Sequence, residues 1–245
     1  MPDVEEPDGT SPPSYSDACQ PGQDIIPPAT LVLDGQQIRK DAAPEDSPPL
    51  YTLSLSLSGV SAITTEVELS RIEPRRAGPG RERHIYGLRQ MRMAVGHHER
   101  VPSESPHYYI QRASARVPGP AGVGVKKRRS LIPGRPAKNT AVPVDLSGKS
   151  SEFGIPTFHK KADALFANNG RKWTTCPQGE VVALMPDDKD ASRHTLTVTV
   201  AMPRAQFEML VALWCCHVWE FAVARAPKIH EGMDGVARKL RAARE

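Results

Sequence analysis

From Tyr51 to Ser58 the chain alternates: Tyr51, Leu53, Leu55 and Leu57 take one side, and Thr52, Ser54, Ser56 and Ser58 the other. A period of two suits a half-buried strand and no helix. Thr195 to Val200 alternates in the same way, and Glu180 to Met185 holds a short apolar run between turn residues. Two further pairs of runs read as hairpins. Leu31-Val32-Leu33 and Gln36-Gln37-Ile38 flank Asp34-Gly35, and Ala164-Leu165-Phe166 and Lys172-Trp173-Thr174 flank Asn169-Gly170. Both dipeptides tolerate the positive φ of a tight turn. With candidates at Ile63 to Ile72, His84 to Leu88 and His107 to Gln111, the pattern predicts an antiparallel, β-rich domain.

One segment breaks the period. Arg204 to Arg225 runs without Gly or Pro, behind a Pro203 that stands where a first helical residue would lose no hydrogen bond. Its apolar residues, from Phe207 through Leu210, Leu213, Trp214, Cys215, Cys216, Val218 and Trp219 to Phe221, cover every face. A helix apolar all round is buried on all sides, in a core or in a membrane. Its length of roughly 30 Å fits either. Glu208, His217 and Glu220 lie within it, and a carboxylate near a bilayer centre costs on the order of 3 kcal/mol, which favours the core.

Between the strands, Arg75 to Arg83 and Pro118 to Pro143 combine Pro, Gly and basic residues without apolar periodicity, and read as exposed loops, the second long. Residues 1–28, with seven prolines among acids, Ser and Gly, bury too little to offset backbone ordering and read as a disordered acidic tail. This leaves a domain over 29–225, with the basic loop 118–143 and the core helix 204–225, followed by a basic tail or short helix over 226–245. The chain of 245 residues carries a net charge of +4, but Met1 to Leu50 holds 10 acids against 2 bases, and Arg71 to Thr140 holds 16 bases against 4 acids. An acidic tail and a strongly basic middle are hidden in that small sum.

Met1-Pro2-Asp3-Val4-Glu5-Glu6 has neither a basic start nor an apolar stretch, which predicts no secretory signal. Four cysteines and no Asn-x-Ser/Thr acceptor point to a reducing compartment, cytoplasmic or nuclear. Composition also excludes a collagen-like repeat, a disulfide-dense mini-protein and a polytopic membrane protein.

A hydrophobic helix directly after the last strand of a β-rich domain resembles the tubby C-terminal-domain-like superfamily, which includes the LURP-one-related proteins and the phospholipid scramblases. The residues that carry the resemblance are Asp34-Gly35, Pro49-Leu50-Tyr51, Leu165-Phe166 with Gly170-Arg171-Lys172-Trp173, Gly179 to Ala183, and Leu196-Thr197-Val198 leading into Phe207 to Phe221. It spans about Ala29 to Arg225, by architecture more than by motif. The resemblance implies a closed antiparallel barrel around a central C-terminal helix, and binding of anionic phospholipid. No phosphoinositide-site motif of tubby proper matches residue by residue, and the scramblase calcium-binding pattern is not evident. The tail and the Ala212 to Trp219 helix also resemble a group of uncharacterised filamentous-fungal proteins.

Two short motifs fit partners. Pro12-Pro13-Ser14-Tyr15 matches the Pro-Pro-x-Tyr ligand of WW domains, in which a preformed polyproline II segment presents Pro12, Pro13 and Tyr15 to aromatic grooves. Pro48-Pro49-Leu50-Tyr51 matches too, but Tyr51 opens the alternating strand and reads as a core residue. Lys126-Lys127-Arg128-Arg129 is the densest positive run, and clustered bases attract phosphates of lipid headgroups or nucleic acid. Only 5% of residues are aromatic and two of three tryptophans lie in the apolar helix, which makes nucleic acid the weakest partner.

Candidate catalytic and metal sets fail on inspection. Gly119 to Lys127 lacks the Gly-Lys-Ser/Thr ending of a phosphate loop. Cys215 and Cys216 point roughly 100° apart on a helix and, with Cys176 and His217, form no Cys-x-x-Cys pair, so they read as buried apolar residues. His97-His98 reads as surface, and Asp187 to Asp190 lacks the glycine and terminal glutamate of a calcium loop. The sequence therefore predicts a binding or adaptor protein and no enzyme, with no cofactor and no metal. Three functions stay open: peripheral association with anionic phospholipid plus recruitment of a WW-domain protein of the ubiquitin-ligase type; a nuclear or cytosolic scaffold with the basic run as import signal; and a membrane-inserted lipid-translocating protein.

Overall fold

A computed structural model describes residues 24–44, 47–60, 63–75, 80–91, 103–128, 138–149, 155–186 and 193–225. In chain order the strands are β1 (Ile25–Ile26), β2 (Ala29–Asp34), β3 (Gln37–Lys40), β4 (Tyr51–Leu53), β5 (Glu66–Glu73), β6 (Arg81–Gln90), β7 (Tyr108–Arg112) and β8 (Gly122–Arg128). They continue as β9 (Lys138–Asp145), β10 (Thr157–Phe158), β11 (Phe166–Asn168), β12 (Lys172–Thr175), β13 (Val181–Leu184), β14 (Arg193–Val198) and β15 (Met202–Pro203), before the helix α1 (Arg204–Arg225).

Twelve strands close an antiparallel barrel: β9, β11, β12, β13, β14, β2, β3, β4, β5, β6, β7 and β8 follow one another, and β8 pairs back onto β9. Closure leaves the twelve barrel strands without the open β8 and β9 edges that a sheet of this size must otherwise cover or charge. The short β10 adds to the remaining length of β9 beyond β11. Separately, β1 pairs with β15 across the entrance through which the chain passes into α1. The β-rich architecture around one C-terminal helix is thus the one the pattern predicts.

The helix fills the barrel. Leu210, Val211, Ala212, Leu213, Trp214, Cys215 and Trp219 are each at most 1% exposed, and they pack against inward residues such as Leu31, Ile38, Val67, Leu88, Ile110 and Leu196. Because strands surround α1 on all sides, an apolar face on every side has somewhere to go. Helix boundaries and burial agree with the expected core helix, while Pro203 belongs to β15 and not to the first helical turn. The first helical amide, at Arg204, donates to the Asp24 carbonyl at 2.8 Å.

Several expected boundaries are corrected. The Tyr51–Ser58 strand stops at Leu53; Leu57 is buried but Leu55 is 45% exposed, so the three leucines do not share a face. Beyond Leu53 the Ser54 amide still donates to the Glu68 carbonyl at 3.0 Å, but the Glu68 amide turns to the Ser54 hydroxyl at 2.9 Å in place of a backbone carbonyl, which ends the ladder. In the first hairpin Asp34 pairs with Gln37, so the two-residue loop is Gly35-Gln36, with positive φ (57°) at Gly35 alone, the II′ arrangement in place of an Asp-Gly turn. The loop expected at 75–83 gives way to strand from Arg81. The tail expected over 1–28 is part of the fold from Asp24 onward; residues 1–23 lie outside the described residues.

The largest correction concerns the expected basic loop 118–143. Its ends form β8 and β9, whose ladder from Val123–Pro143 to Arg128–Lys138 is the one that closes the barrel. On β8 the inward set is Val123 and Val125, while on β9 Val142 and Val144 point outward to a second cluster with Phe158. Gly124 is required by close approach: a Cβ there would meet Pro106 at 2.6 Å and Val144 at 2.8 Å. Gly124→Ala is expected to cost about 1–3 kcal/mol of stability through overpacking, measured by urea unfolding; an unchanged midpoint would contradict this packing.

Candidate functional site

The ladder registers sort side chains to the two ends of the barrel. Glu66 pairs with Arg89, Gln90 with Tyr108, Tyr109 with Gly124 and Lys127 with Asn139, so the end of β8, the β4–β5 connection and the C-terminus of α1 share one end. Lys172 and Leu184 pair there too. The N-terminus of α1, Arg71, Arg83 and the β7–β8 connection share the other.

The predicted basic run stands at the C-terminal end of α1, and the two-residue period divides it. Lys126 lies on the outer face with its Nζ 5.5 Å from the centre of the Phe158 ring. Lys127 faces the helix and pairs with Glu220. Arg128 ends β8, and Arg129 lies outside the described residues. Four adjacent bases on a loop would form one patch; on a strand Lys126 and Lys127 diverge, and Lys127 is already paired with Glu220.

What sequence reasoning missed is the apolar company of that run. Among the described residues, five large hydrophobic side chains are strongly exposed, and four of them, Leu55, Ile63, Leu184 and Phe221, belong to this same end. Arg225 sits 4.1 Å over the Phe221 ring. Beneath this rim burial pushes His217 below the ordinary histidine value, against a smaller upward pull from Glu220. It is therefore neutral at pH 7.

The opposite end holds an arginine network that no sequence motif announces. The Glu208 carboxylate, 3% exposed, accepts from Arg71 at 2.7 Å, and Arg204 stands 3.9 Å away one helical turn back. Glu73 bridges Arg71 and Arg83, and Asp24 pairs with Arg204. Burial pushes the Glu208 carboxyl above its ordinary value, with Arg71 pulling it back. Glu73 is held low by Arg71, and Asp24 by Arg204.

The other predicted sites fall as follows. Tyr51 is 3% exposed on β4, so Pro48-Pro49-Leu50-Tyr51 does not present its tyrosine. Pro12, Pro13 and Tyr15, His97-His98, Asp187 to Asp190 and the tail 226–245 lie outside the described residues. Cys215 and Cys216 are core residues whose thiols burial pushes far up, so neither is a thiolate at neutral pH. No known protein family, curated protein or solved structure matches this chain.

Proposed function

We propose that this protein is a non-enzymatic adaptor of tubby-like architecture that docks peripherally on anionic phospholipid at the cytoplasmic face of a membrane. Its contact is the barrel end where α1 terminates. The reading is carried by one observation: the basic end of β8 shares that end with Leu55, Ile63, Leu184 and Phe221. Bases draw the protein to a negative leaflet, and apolar side chains exposed at the same end gain by entering the interface. Recruitment of a WW-domain protein through Pro12-Pro13-Ser14-Tyr15 completes the adaptor.

Co-sedimentation with neutral and anionic vesicles tests it. Binding is expected with anionic vesicles at about 50 mM salt and much less at about 300 mM, because screening shortens the reach of each charge. Changing Lys126, Lys127, Arg128 and Arg129 to Ala removes interactions of on the order of 1 kcal/mol each near the surface, less for Lys127 with its Glu220 partner, so partitioning falls about tenfold or more. Equal pelleting by the variant, or none by the native chain, would sink the proposal.

A further inference from the structure

At the end remote from the proposed membrane contact, a cleft of about 550 Å³ opens between the start of α1, the β5–β6 strands and the β7–β8 connection. That volume is in the range of pockets that hold drug-sized ligands. Its walls are of two kinds. Ile85, Val117, Pro118, Pro203 and Ala205 supply apolar surface, while Arg71, Arg83, Arg116 and Arg204 supply guanidiniums.

The charges do not balance. Among the described residues the carboxylates on or against the cleft are Asp24, Glu73 and Glu208, and each is already engaged by Arg204, by Arg71 and Arg83, or by Arg71. Arg116 is exposed and has no ion pair among the described residues. The connection that carries it is nonetheless held in place. Arg112 donates to the Val117 and Gly119 carbonyls, at 3.4 and 2.9 Å, the Ala113 amide donates to Ile85, and Val117 is 3% exposed. A fixed loop thus holds an unpaired guanidinium beside an apolar wall.

We propose that this cleft binds a small amphiphile with one anionic head, a carboxylate or a phosphate, on a short apolar body. Arg116 takes the head, with Arg83 beside it at 40% side-chain exposure and shared only with Glu73. Guanidinium pairs with either oxyanion through parallel N–H donors, and a site with one positive charge in excess suits a single negative head. The body lies against Ile85, Val117 and Pro118. The first amide of α1 is spent on the Asp24 carbonyl, so the assignment rests on the arginines and the cleft and not on the helix terminus.

Isothermal titration of the full chain with decanoate, decyl phosphate, decanol and inorganic phosphate, each below its aggregation concentration, tests the assignment. Decanoate or decyl phosphate is expected to bind at least tenfold more tightly than decanol and than inorganic phosphate, and the better of the two identifies the head. Arg116→Ala is expected to weaken that binding about tenfold, as losing a charge-assisted hydrogen bond does, with an unchanged melting temperature. Ala205→Trp, which fills the cleft from the helix side, is expected to abolish it. Decanol binding as well as decanoate, phosphate binding as well as either amphiphile, no binding at millimolar concentration, or an unaffected Arg116→Ala would each overturn the proposal. Vesicle pelleting by Arg116→Ala stays as in the native chain, so failure here is separable from failure at the membrane end.

Discussion

Trp214→Ala is expected to destabilise the protein by about 3–5 kcal/mol, a large part of the roughly 5–15 kcal/mol that holds a domain folded. Trp214 is 1% exposed in the middle of α1, where strands surround it on every side. A closed barrel has little freedom to collapse onto a vacated indole volume, so the lost transfer energy and the cavity both count. Trp219→Phe provides the contrast. Trp219 is fully buried and edge-on to Tyr108, with ring centres 5.6 Å apart, but its Nε1 has no hydrogen-bond partner among the described residues. A phenyl ring keeps the contact and removes a buried unsatisfied donor, which itself costs about 1–3 kcal/mol. The expected loss is therefore well below that of Trp214→Ala. Urea unfolding monitored by far-ultraviolet circular dichroism measures both; similar losses would contradict this account of the core.

Arg71→Met is expected to cost about 2–4 kcal/mol at pH 8, somewhat below the usual loss for a broken buried ion pair because Arg204 remains 3.9 Å from Glu208. The loss depends on pH in a definite sense. Glu208 already has a folded-state pKa above its ordinary value because it is buried, and Arg71 is the main group pulling it down. Without Arg71 the folded-state pKa climbs further. A carboxyl with a folded pKa above its unfolded one binds protons more tightly when folded, so its cost is small near the unfolded value and grows as pH rises toward the folded one. The gap between native and variant stability should accordingly be wider at pH 8 than at pH 5. A loss of equal size at both values would mean that Arg71 acts through packing of its stem and not through the Glu208 charge.

Much of the barrel was legible in the chain because each side chain's preference agreed with its final environment. The strands of the two hairpins, the overlap of β5 and β14 with the runs Ile63 to Ile72 and Thr195 to Val200, and the all-round apolar helix are cases in which period and burial point the same way, although Ile63 stands exposed outside β5 and the first turn lies one residue beyond Asp34-Gly35. Tyr51 to Ser58 misled because alternation continues past the point where the Ser54 hydroxyl takes the Glu68 amide out of the ladder. The β8–β9 pair was hidden by its composition: Gly122, Gly124, Pro143 and a run of bases are loop signals. Val123 with Val125, and Val142 with Val144, carry the period of two beneath them. Only the partner strand decides between the two readings.

The sites divide in the same way. A run of four bases is visible by eye, but its two faces and its apolar neighbours depend on registers between residues far apart in sequence. The arginine cleft was not legible at all. Arg71, Arg83, Arg116 and Arg204 lie on three strands or loops and a helix, and nothing local distinguishes them from solvated surface bases. Glu208, read first as evidence against membrane insertion, turns out to be the acid around which that network is organised.

The central claim is that α1 stays inside the barrel while one end of the barrel meets the membrane, and tryptophan fluorescence on brominated-lipid vesicles tests it most directly. All three tryptophans, Trp173, Trp214 and Trp219, are at most 2% exposed within the barrel. Under conditions in which the protein pellets with anionic vesicles, the account predicts emission unchanged by bromine on the acyl chains; quenching of that emission would mean that the helix leaves the barrel for the bilayer and would contradict it.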